Sequence, residues 1–149
     1  MDDRARLDGI TETVIGAAIE VHRALGAGLL ESAYQSCLSF ELTTRGLGVE
    51  RERQIPVIYK QARLDCGYRA DLVVAKEVIV EVKSVDQLQP IHAMQLLSCL
   101  RLSGLRVALL INFNVTVLTK GIRRIVNAYP DLVLPLRASA TSALKGNAP

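Results

Sequence analysis

Two carboxylates and one lysine interrupt an otherwise apolar stretch in the middle of this 149-residue chain. The stretch reads as two strands, residues 68–74 and 78–84, because β-branched residues run through both. Asp71 lies on the first strand, and Glu81 and Lys83 lie on the second. Carboxylates bind hard divalent cations, and a nearby ammonium group stabilises charge that develops on a phosphate. These residues are therefore a candidate site for Mg²⁺-assisted chemistry on a phosphate.

The turn between the two strands decides whether these groups meet. If residues 75–77 form a three-residue loop, Val74 pairs with Val78. Counting back along both strands then sets Asp71 directly opposite Glu81, and all three charged groups share one face. Opposed carboxylates lie about 5 Å apart at Cβ and repel each other, so a cation should lie between them. The alternatives are a register slip, since the turn lacks Gly and Asn, or a salt-bridge ladder on a solvated face.

The composition limits the class of protein. Half of the residues are hydrophobic and 22% are charged, which favours one folded domain with a core. A net charge of +3 permits a polyanionic partner without requiring one. The three cysteines show no CxxC spacing, which argues against a zinc knuckle or a disulfide frame and favours a reducing cytoplasm. No apolar run is long enough to span a bilayer, so we expect no membrane association.

Helical periodicity surrounds the strand pair. Apolar residues recur at intervals of three and four over residues 10–25, which predicts an amphipathic helix with Asp8 as its N-cap. A second helix is expected over residues 30–44, shortly after the first. A third is expected over residues 90–104, with a proline at its first turn. The first two helices, joined by a short connection, should pack against each other or against one sheet.

The remaining segments read mainly as strands. Residues 49–60 alternate charged and apolar side chains and contain Pro56, so they form an edge strand or a broken one. Residues 106–111 are a buried strand by composition, and the helix before them is a crossover that makes this strand parallel to the preceding one. Residues 115–118 are predicted to be a short strand, and residues 122–126 a strand or a helix. The order predicts an α/β fold with a mixed central sheet flanked by helices.

Several short motifs over residues 7–127 occur in the order seen in a known family. They are Val21-His22, Gly28-Leu-Leu-Glu31-Ser-Ala-Tyr34, Arg69-Ala-Asp71, Glu81-Val-Lys83, His92-Ala-Met-Gln95 and Asn112-Phe113. The chain resembles the GxxExxY proteins, which are grouped with the PD-(D/E)xK nuclease superfamily. The proline that often precedes the first acidic residue of that superfamily is absent, and Ala70 stands in its place.

The resemblance implies a restriction-endonuclease-like core with one active site. The residues that it assigns to this site are Asp71, Glu81, Lys83, Glu31 and Gln95. The two strand carboxylates would bind Mg²⁺ or Mn²⁺, with the backbone carbonyl of Val82 as a third ligand. Lys83 would be the catalytic lysine. Glu31 would be the acidic residue carried by a helix, and Gln95 the glutamine that flanks the site.

The implied activity is metal-dependent hydrolysis of phosphodiester bonds in nucleic acid. A non-catalytic module that binds nucleic acid or protein on the same fold is the alternative. One active site cuts one strand, so cleavage of both strands of a duplex would need a homodimer. The nuclease-like domain is expected over residues 1–127, and residues 128–149 are expected to be a partly disordered C-terminal extension.

Several of these residues also have purely structural interpretations. Glu31 could serve only the dipole of its helix, and Gln95 could be buried with a hydrogen-bond partner. Tyr34 is expected in the core, with its hydroxyl bonded to a neighbour. His22 and His92 have no second ligand at metal-binding spacing, so we expect structural roles for both.

Overall fold

A computed structural model describes residues 2–127, and the predicted extension at 128–149 lies outside the described residues. The helices in this range are α1 (Asp3–Leu25), α2 (Glu31–Thr44) and α3 (Pro90–Ser103). The strands are β1 (Val49–Gln54), β2 (Val57–Tyr59), β3 (Ala62–Leu64), β4 (Arg69–Val74), β5 (Val78–Lys83), β6 (Val107–Asn112) and β7 (Ile122–Val126). Over the same range, no helix combines the length and the apolar character that crossing a membrane requires.

Strands β1, β4, β5, β6 and β7 form one mixed sheet, in that order. Neighbouring strands are antiparallel except for β5 and β6, which are parallel and joined through α3. The parallel pair confirms the predicted crossover. Helices α1 and α2 cover one face of the sheet, and α3 covers the other. The predicted α/β architecture, a mixed sheet flanked by helices as in a restriction-endonuclease-like core, is therefore confirmed.

Each face of the sheet has its own apolar cluster because side chains alternate along the strands. Val80 and Val82 of β5 pack toward α1 and α2, whereas Ile79 of the same strand packs toward α3. Every residue of β6 is buried, as expected for a strand with a paired neighbour on each side and helices on both faces. The polar side chains of Glu81 and Lys83 therefore stand out on the α3 face of β5.

Helix α1 begins earlier than the sequence periodicity predicts. Asp2, and not Asp8, is its N-cap, and its carboxylate accepts a hydrogen bond from a backbone N–H in the first turn. Leu7 is 2% exposed, so the buried stripe continues toward the N-terminus beyond Ile10. Asp8 instead forms a 2.6 Å salt bridge with Arg124 of β7. The N-cap prediction was wrong because this tertiary partner was not visible in the sequence.

The predicted strand over residues 49–60 is broken at Pro56, and its first half is the edge strand β1. After the break, β2 and β3 form a separate two-stranded hairpin that was not predicted. Its turn has positive φ at Lys60 (48°) and Gln61 (72°), which two-residue hairpin turns require. The turn lacks Asn-Gly, so the usual sequence signal for a hairpin was missing.

Residues 115–118 do not form the predicted strand. Instead a 3₁₀ turn spans Leu118–Gly121, and β7 follows it directly. The carbonyl of Val115 lies 2.8 Å from Nε2 of His22, so a side chain of α1 contacts this carbonyl. This contact also confirms the structural role expected for His22. The open choice for residues 122–126 is decided in favour of a strand.

Candidate active site

Asp71 and Glu81 come together near the ends of β4 and β5. The predicted register is confirmed next to the turn, where Val74 pairs with Val78 and Leu72 with Val80. The strand pairing ends there and does not extend to the predicted pair of Asp71 and Glu81. The Asp71 carboxylate accepts a 2.8 Å hydrogen bond from the backbone N–H of Val82. This bond fixes the acidic side chain of β4 against the segment of β5 that carries Glu81.

The surroundings of Asp71 and Glu81 disfavour the charged form of both carboxyl groups. Burial raises the pKa of Asp71, the Val82 N–H lowers it, and the nearby carboxylate of Glu52 raises it again. Burial and the charge of Asp71 together raise the pKa of Glu81 to about 7. A cation between the two groups would offset both effects, so the pair is electrostatically suited to bind one.

Lys83 is the basic group nearest to Glu81 along β5. Its Nζ lies 3.8 Å from Glu81 Oε2, and the two side chains are 21% and 23% exposed. This separation is at the long end for an ion pair, so the ammonium group offsets only part of the carboxylate charge. Both groups remain accessible to a molecule that enters from solvent.

A cavity of about 260 Å³ opens beside Glu81 and Lys83 on the α3 face of the sheet. Its other walls come from α3 and from the segment that leads into β4: Gly67, Tyr68, Arg69, His92, Gln95, Leu96 and Cys99. Gln95 is exposed in this cavity and not buried, which rules out the core alternative for it. Asp71 is not among the residues that line this cavity.

Glu31 is the first residue of α2, and its side chain reaches the end of β5. Its Oε2 accepts a 3.1 Å hydrogen bond from the backbone N–H of Ser84. Its charge also contributes to the raised pKa of Asp71 and of Glu81. Glu31 therefore lies at the end of β5 and interacts electrostatically with both strand carboxylates, at a helix start where the dipole also favours it.

Tyr34, the last residue of the Gly28–Tyr34 motif, has a structural role. It is fully buried and stacks on Phe113, with ring centroids 4.5 Å apart. Its hydroxyl donates to the carbonyl of Gly26 at 2.5 Å and accepts from the N–H of Leu29 at 3.1 Å. The predicted core role is confirmed. Tyr34 fixes the loop between α1 and α2, and Glu31 connects the same loop to the end of β5.

Gln35 is a residue of the site region that the sequence analysis missed. It is 8% exposed, and its Nε2 donates to Glu52 Oε2 at 2.8 Å and to the backbone carbonyl of Asp71 at 3.0 Å. Glu52 has a φ of 55°, at a position where the β1–β4 pairing is interrupted. The spacing of four between Glu31 and Gln35 puts both on one face of α2, which was a usable signal.

Asn112, which the sequence analysis named within a motif but did not assign to the site, lies at the end of β6. It is 2% exposed, and its side chain accepts from the N–H of Val85 at 3.0 Å and donates to the carbonyl of Val85 at 2.9 Å. The amide therefore continues the pairing of β6 with the chain just beyond Lys83. Asn112 therefore holds the end of β5 in position.

His92 has a structural role in α3 and also borders the cavity. Its Nδ1 accepts a 2.9 Å hydrogen bond from the backbone N–H of Gln89, as part of a capping box at the start of the helix. This agrees with the structural role expected from the sequence. The ring also lines the cavity that contains Glu81 and Lys83, which the sequence did not indicate.

The donor atoms fit a hard divalent cation. Across residues 2–127, no cluster of three or more His, Cys, Asp or Glu side chains is close enough to hold a metal ion by itself. Mg²⁺ needs fewer protein ligands, because water and substrate oxygens complete its octahedral shell. The two carboxylates of Asp71 and Glu81 fit this pattern, and their mutual repulsion is the feature that a cation would relieve.

Glu81→Gln is expected to stabilise the metal-free protein at about pH 8 and to have little effect near pH 4. Because the folded-state pKa is raised, the folded protein keeps a proton that the unfolded chain loses between the ordinary carboxyl pKa and about 7. The stability of the wild type therefore falls across this window, by on the order of 2 kcal/mol. The substitution removes this loss.

Urea unfolding in EDTA, repeated across this pH range, measures the effect of Glu81→Gln. Glu12→Gln is the matched control, since Glu12 is exposed on α1. If the free energy of unfolding changes with pH in the same way for wild type and Glu81→Gln, the expected destabilisation by the Glu81 charge is contradicted.

One comparison with known proteins gives a match. A family model described as the PD-(D/E)XK nuclease superfamily matches residues 8–125. The matched range includes every residue discussed above as part of the candidate site. No curated protein and no solved structure matches the chain significantly.

Proposed function

We propose that this chain, which belongs to the PD-(D/E)XK nuclease superfamily, is a metal-dependent nuclease that hydrolyses phosphodiester bonds in nucleic acid. The observation that carries the proposal is the interaction between the neighbouring carboxylates of Asp71 and Glu81, with Lys83 beside Glu81 at an open cavity. The signature around Glu31 and Tyr34 further supports membership of the GxxExxY group within the superfamily.

The carboxylates of Asp71 and Glu81 would hold Mg²⁺ or Mn²⁺, and the backbone carbonyl of Val82 would be a third ligand. When bound, such an ion lowers the pKa of a water molecule and stabilises negative charge on a phosphate. The site would require deprotonated carboxylates, so proton binding and metal binding would compete at Glu81.

Lys83 would stabilise the negative charge that the scissile phosphate gains, or orient the attacking water. Its position is set on both sides of the strand end. The N–H of the next residue, Ser84, donates to Glu31, and the carbonyl of Lys83 accepts a 2.9 Å hydrogen bond from the N–H of Phe113. Gln95, on the opposite wall of the cavity, has both a donor and an acceptor to offer a bound phosphate or water.

Metal binding is the first test. Calorimetric titration with Mg²⁺ or Mn²⁺ is expected to show that the wild type binds the ion. Asp71→Asn should bind it at least about tenfold more weakly than the wild type does. Asparagine keeps the size of the side chain and removes its charge. The control is Asp86→Asn, at an exposed carboxylate shortly after β5. Equal affinity of wild type and Asp71→Asn for the ion would contradict the proposed metal site.

The non-catalytic alternative makes a different prediction. A binding module would contact nucleic acid in a salt-sensitive way, without metal and without loss of affinity in Glu81→Gln. The homodimer needed to cut both strands of a duplex, the cytoplasmic location and the domain boundary at residue 127 stay predictions.

A further inference from the structure

The hairpin of β2 and β3 exposes aromatic and apolar side chains. Among the residues that the structure describes, tyrosine occurs at three positions, and only Tyr34 is buried. Tyr59 is 59% exposed in the hairpin, and Tyr68 is 44% exposed just before β4. Exposed apolar groups that cluster on one part of a surface mark sites of interaction. The hairpin is therefore a candidate binding surface.

Strand pairing sorts the hairpin side chains onto two faces. One face is apolar and consists of residues paired across the two strands: Val57, Tyr59, Ala62 and Leu64. The opposite face carries Arg63, paired with Ile58. At the tip, Nζ of Lys60 lies 5.4 Å from the centre of the Tyr59 ring. The hairpin thus combines an exposed aromatic ring that has an ammonium group beside it with a guanidinium group on the opposite face.

The residues at the tip of the hairpin are not the ones that would make its turn most stable. Lys60 and Gln61 both have positive φ, a conformation that side chains with a Cβ adopt at a cost. Asn-Gly would suit the same turn better. The sequence keeps a cation at the tip of the hairpin where a more stable turn was available.

The hairpin leads directly into the candidate active site. Tyr68 and Arg69 line the same cavity as Glu81 and Lys83. Each strand of the hairpin is three residues long, so it extends about 10 Å along its axis. We call residues 57–64 together with Tyr68 and Arg69 the hairpin surface. It begins at an exposed tip and ends at the wall of the cavity.

We propose that the hairpin surface binds single-stranded nucleic acid and directs an unpaired strand into the cavity. Aromatic side chains bind single strands by stacking on base faces, and cations beside them contact the phosphates. In a duplex the base faces are covered by their neighbours, so Tyr59 and Tyr68 would have nothing to stack on. The inference names the substrate class of the proposed nuclease and rests on that function.

The test uses the full chain and a fluorescein-labelled oligodeoxythymidylate of about 16 nucleotides, in EDTA so that no cleavage occurs. Fluorescence anisotropy gives its affinity and that of the matched duplex; an oligouridylate of equal length compares RNA with DNA. The single strands are expected to bind about tenfold or more tightly than the duplex. Tyr59→Ala and Tyr68→Ala should each weaken single-strand binding roughly five- to hundredfold.

Two further variants distinguish the loss of a contact with nucleic acid from a loss of folded protein. Lys60→Asn combined with Gln61→Gly should weaken binding without lowering Tm, because it removes a cation and improves the turn. Phe40→Ala removes an aromatic side chain that is 73% exposed on α2, and it should bind like the wild type. Duplex binding equal to or tighter than single-strand binding would overturn the proposal, as would wild-type affinity in both tyrosine variants.

The outcome is independent of whether the protein cleaves. Hairpin-dependent binding of single strands by a protein that never cuts would contradict the proposed nuclease and support the hairpin surface. Metal-dependent cleavage of duplexes in preference to single strands would support the nuclease and overturn the hairpin surface.

Discussion

Lys83→Ala is expected to slow metal-dependent cleavage by about a hundredfold or more while the protein stays folded. The substitution removes the ammonium group that lies 3.8 Å from Glu81 and would stabilise charge on the phosphate. The side chain is only partly buried, so its loss should not open a cavity in the core. Single-turnover cleavage of labelled single-stranded and duplex oligonucleotides at saturating Mg²⁺ or Mn²⁺ measures the effect.

Lys76→Ala is the matched control for this experiment. Lys76 is exposed in the turn between β4 and β5, at the opposite end of the strand pair from Lys83. It should leave the cleavage rate unchanged, and thermal unfolding should show that both variants fold. Wild-type cleavage by Lys83→Ala, or by Glu81→Gln, would contradict the proposed nuclease mechanism.

Gly121→Ala is expected to destabilise the fold by about 3 kcal/mol. A Cβ at this position would clash with the backbone carbonyl oxygen of Asn112 and would lie 3.2 Å from Val115 Cγ2. The carbonyl cannot move away easily, because Asn112 is paired with Lys83 in the sheet and its side chain is bonded to the chain beyond β5. The free energy of unfolding in urea measures the loss.

A glycine-to-alanine substitution in α1 should have the opposite effect on stability. Gly9 lies inside the helix and is exposed, and a Cβ there would meet no atom within 4 Å. Gly9→Ala should therefore stabilise the protein by about 0.5–1 kcal/mol, because alanine restricts the unfolded chain and favours the helix. A loss of stability in Gly9→Ala, or none in Gly121→Ala, would show that the packing around these glycines is different.

The register of the strand pair was predictable because it depends on local properties. A three-residue turn and the alternation of side chains were sufficient to set Val74 opposite Val78 and to continue the pairing to Leu72 and Val80. The predicted pairing of Asp71 with Glu81 does not follow, because the ladder ends before Asp71 and its carboxylate accepts from the N–H of Val82 instead. The parallel strand after α3 was predictable in the same way, because a helix between two adjacent strands leaves little choice of direction. The helices over residues 31–44 and 90–103 also agree closely with the predicted ones.

Contacts between distant residues could not be predicted. Gln35 binds the backbone of Asp71, and Asn112 binds the backbone of Val85, across separations of 36 and 27 residues. Side-chain amides have the same polarity in a core network as on a surface, so composition does not identify the partner. The N-cap at Asp8 and the strand at residues 115–118 were predicted wrongly for the same reason.

The sequence by itself identified the candidate site residues and determined that Glu81 and Lys83 share one face of β5, because side-chain alternation is a property of a single strand. Only the tertiary structure decided that Glu31 reaches the end of β5, that Gln95 and His92 border the same cavity as Lys83, and that an exposed hairpin leads into it. Those relations depend on how helices pack on the sheet, and packing is set by the combined shape of many side chains and not by any one segment.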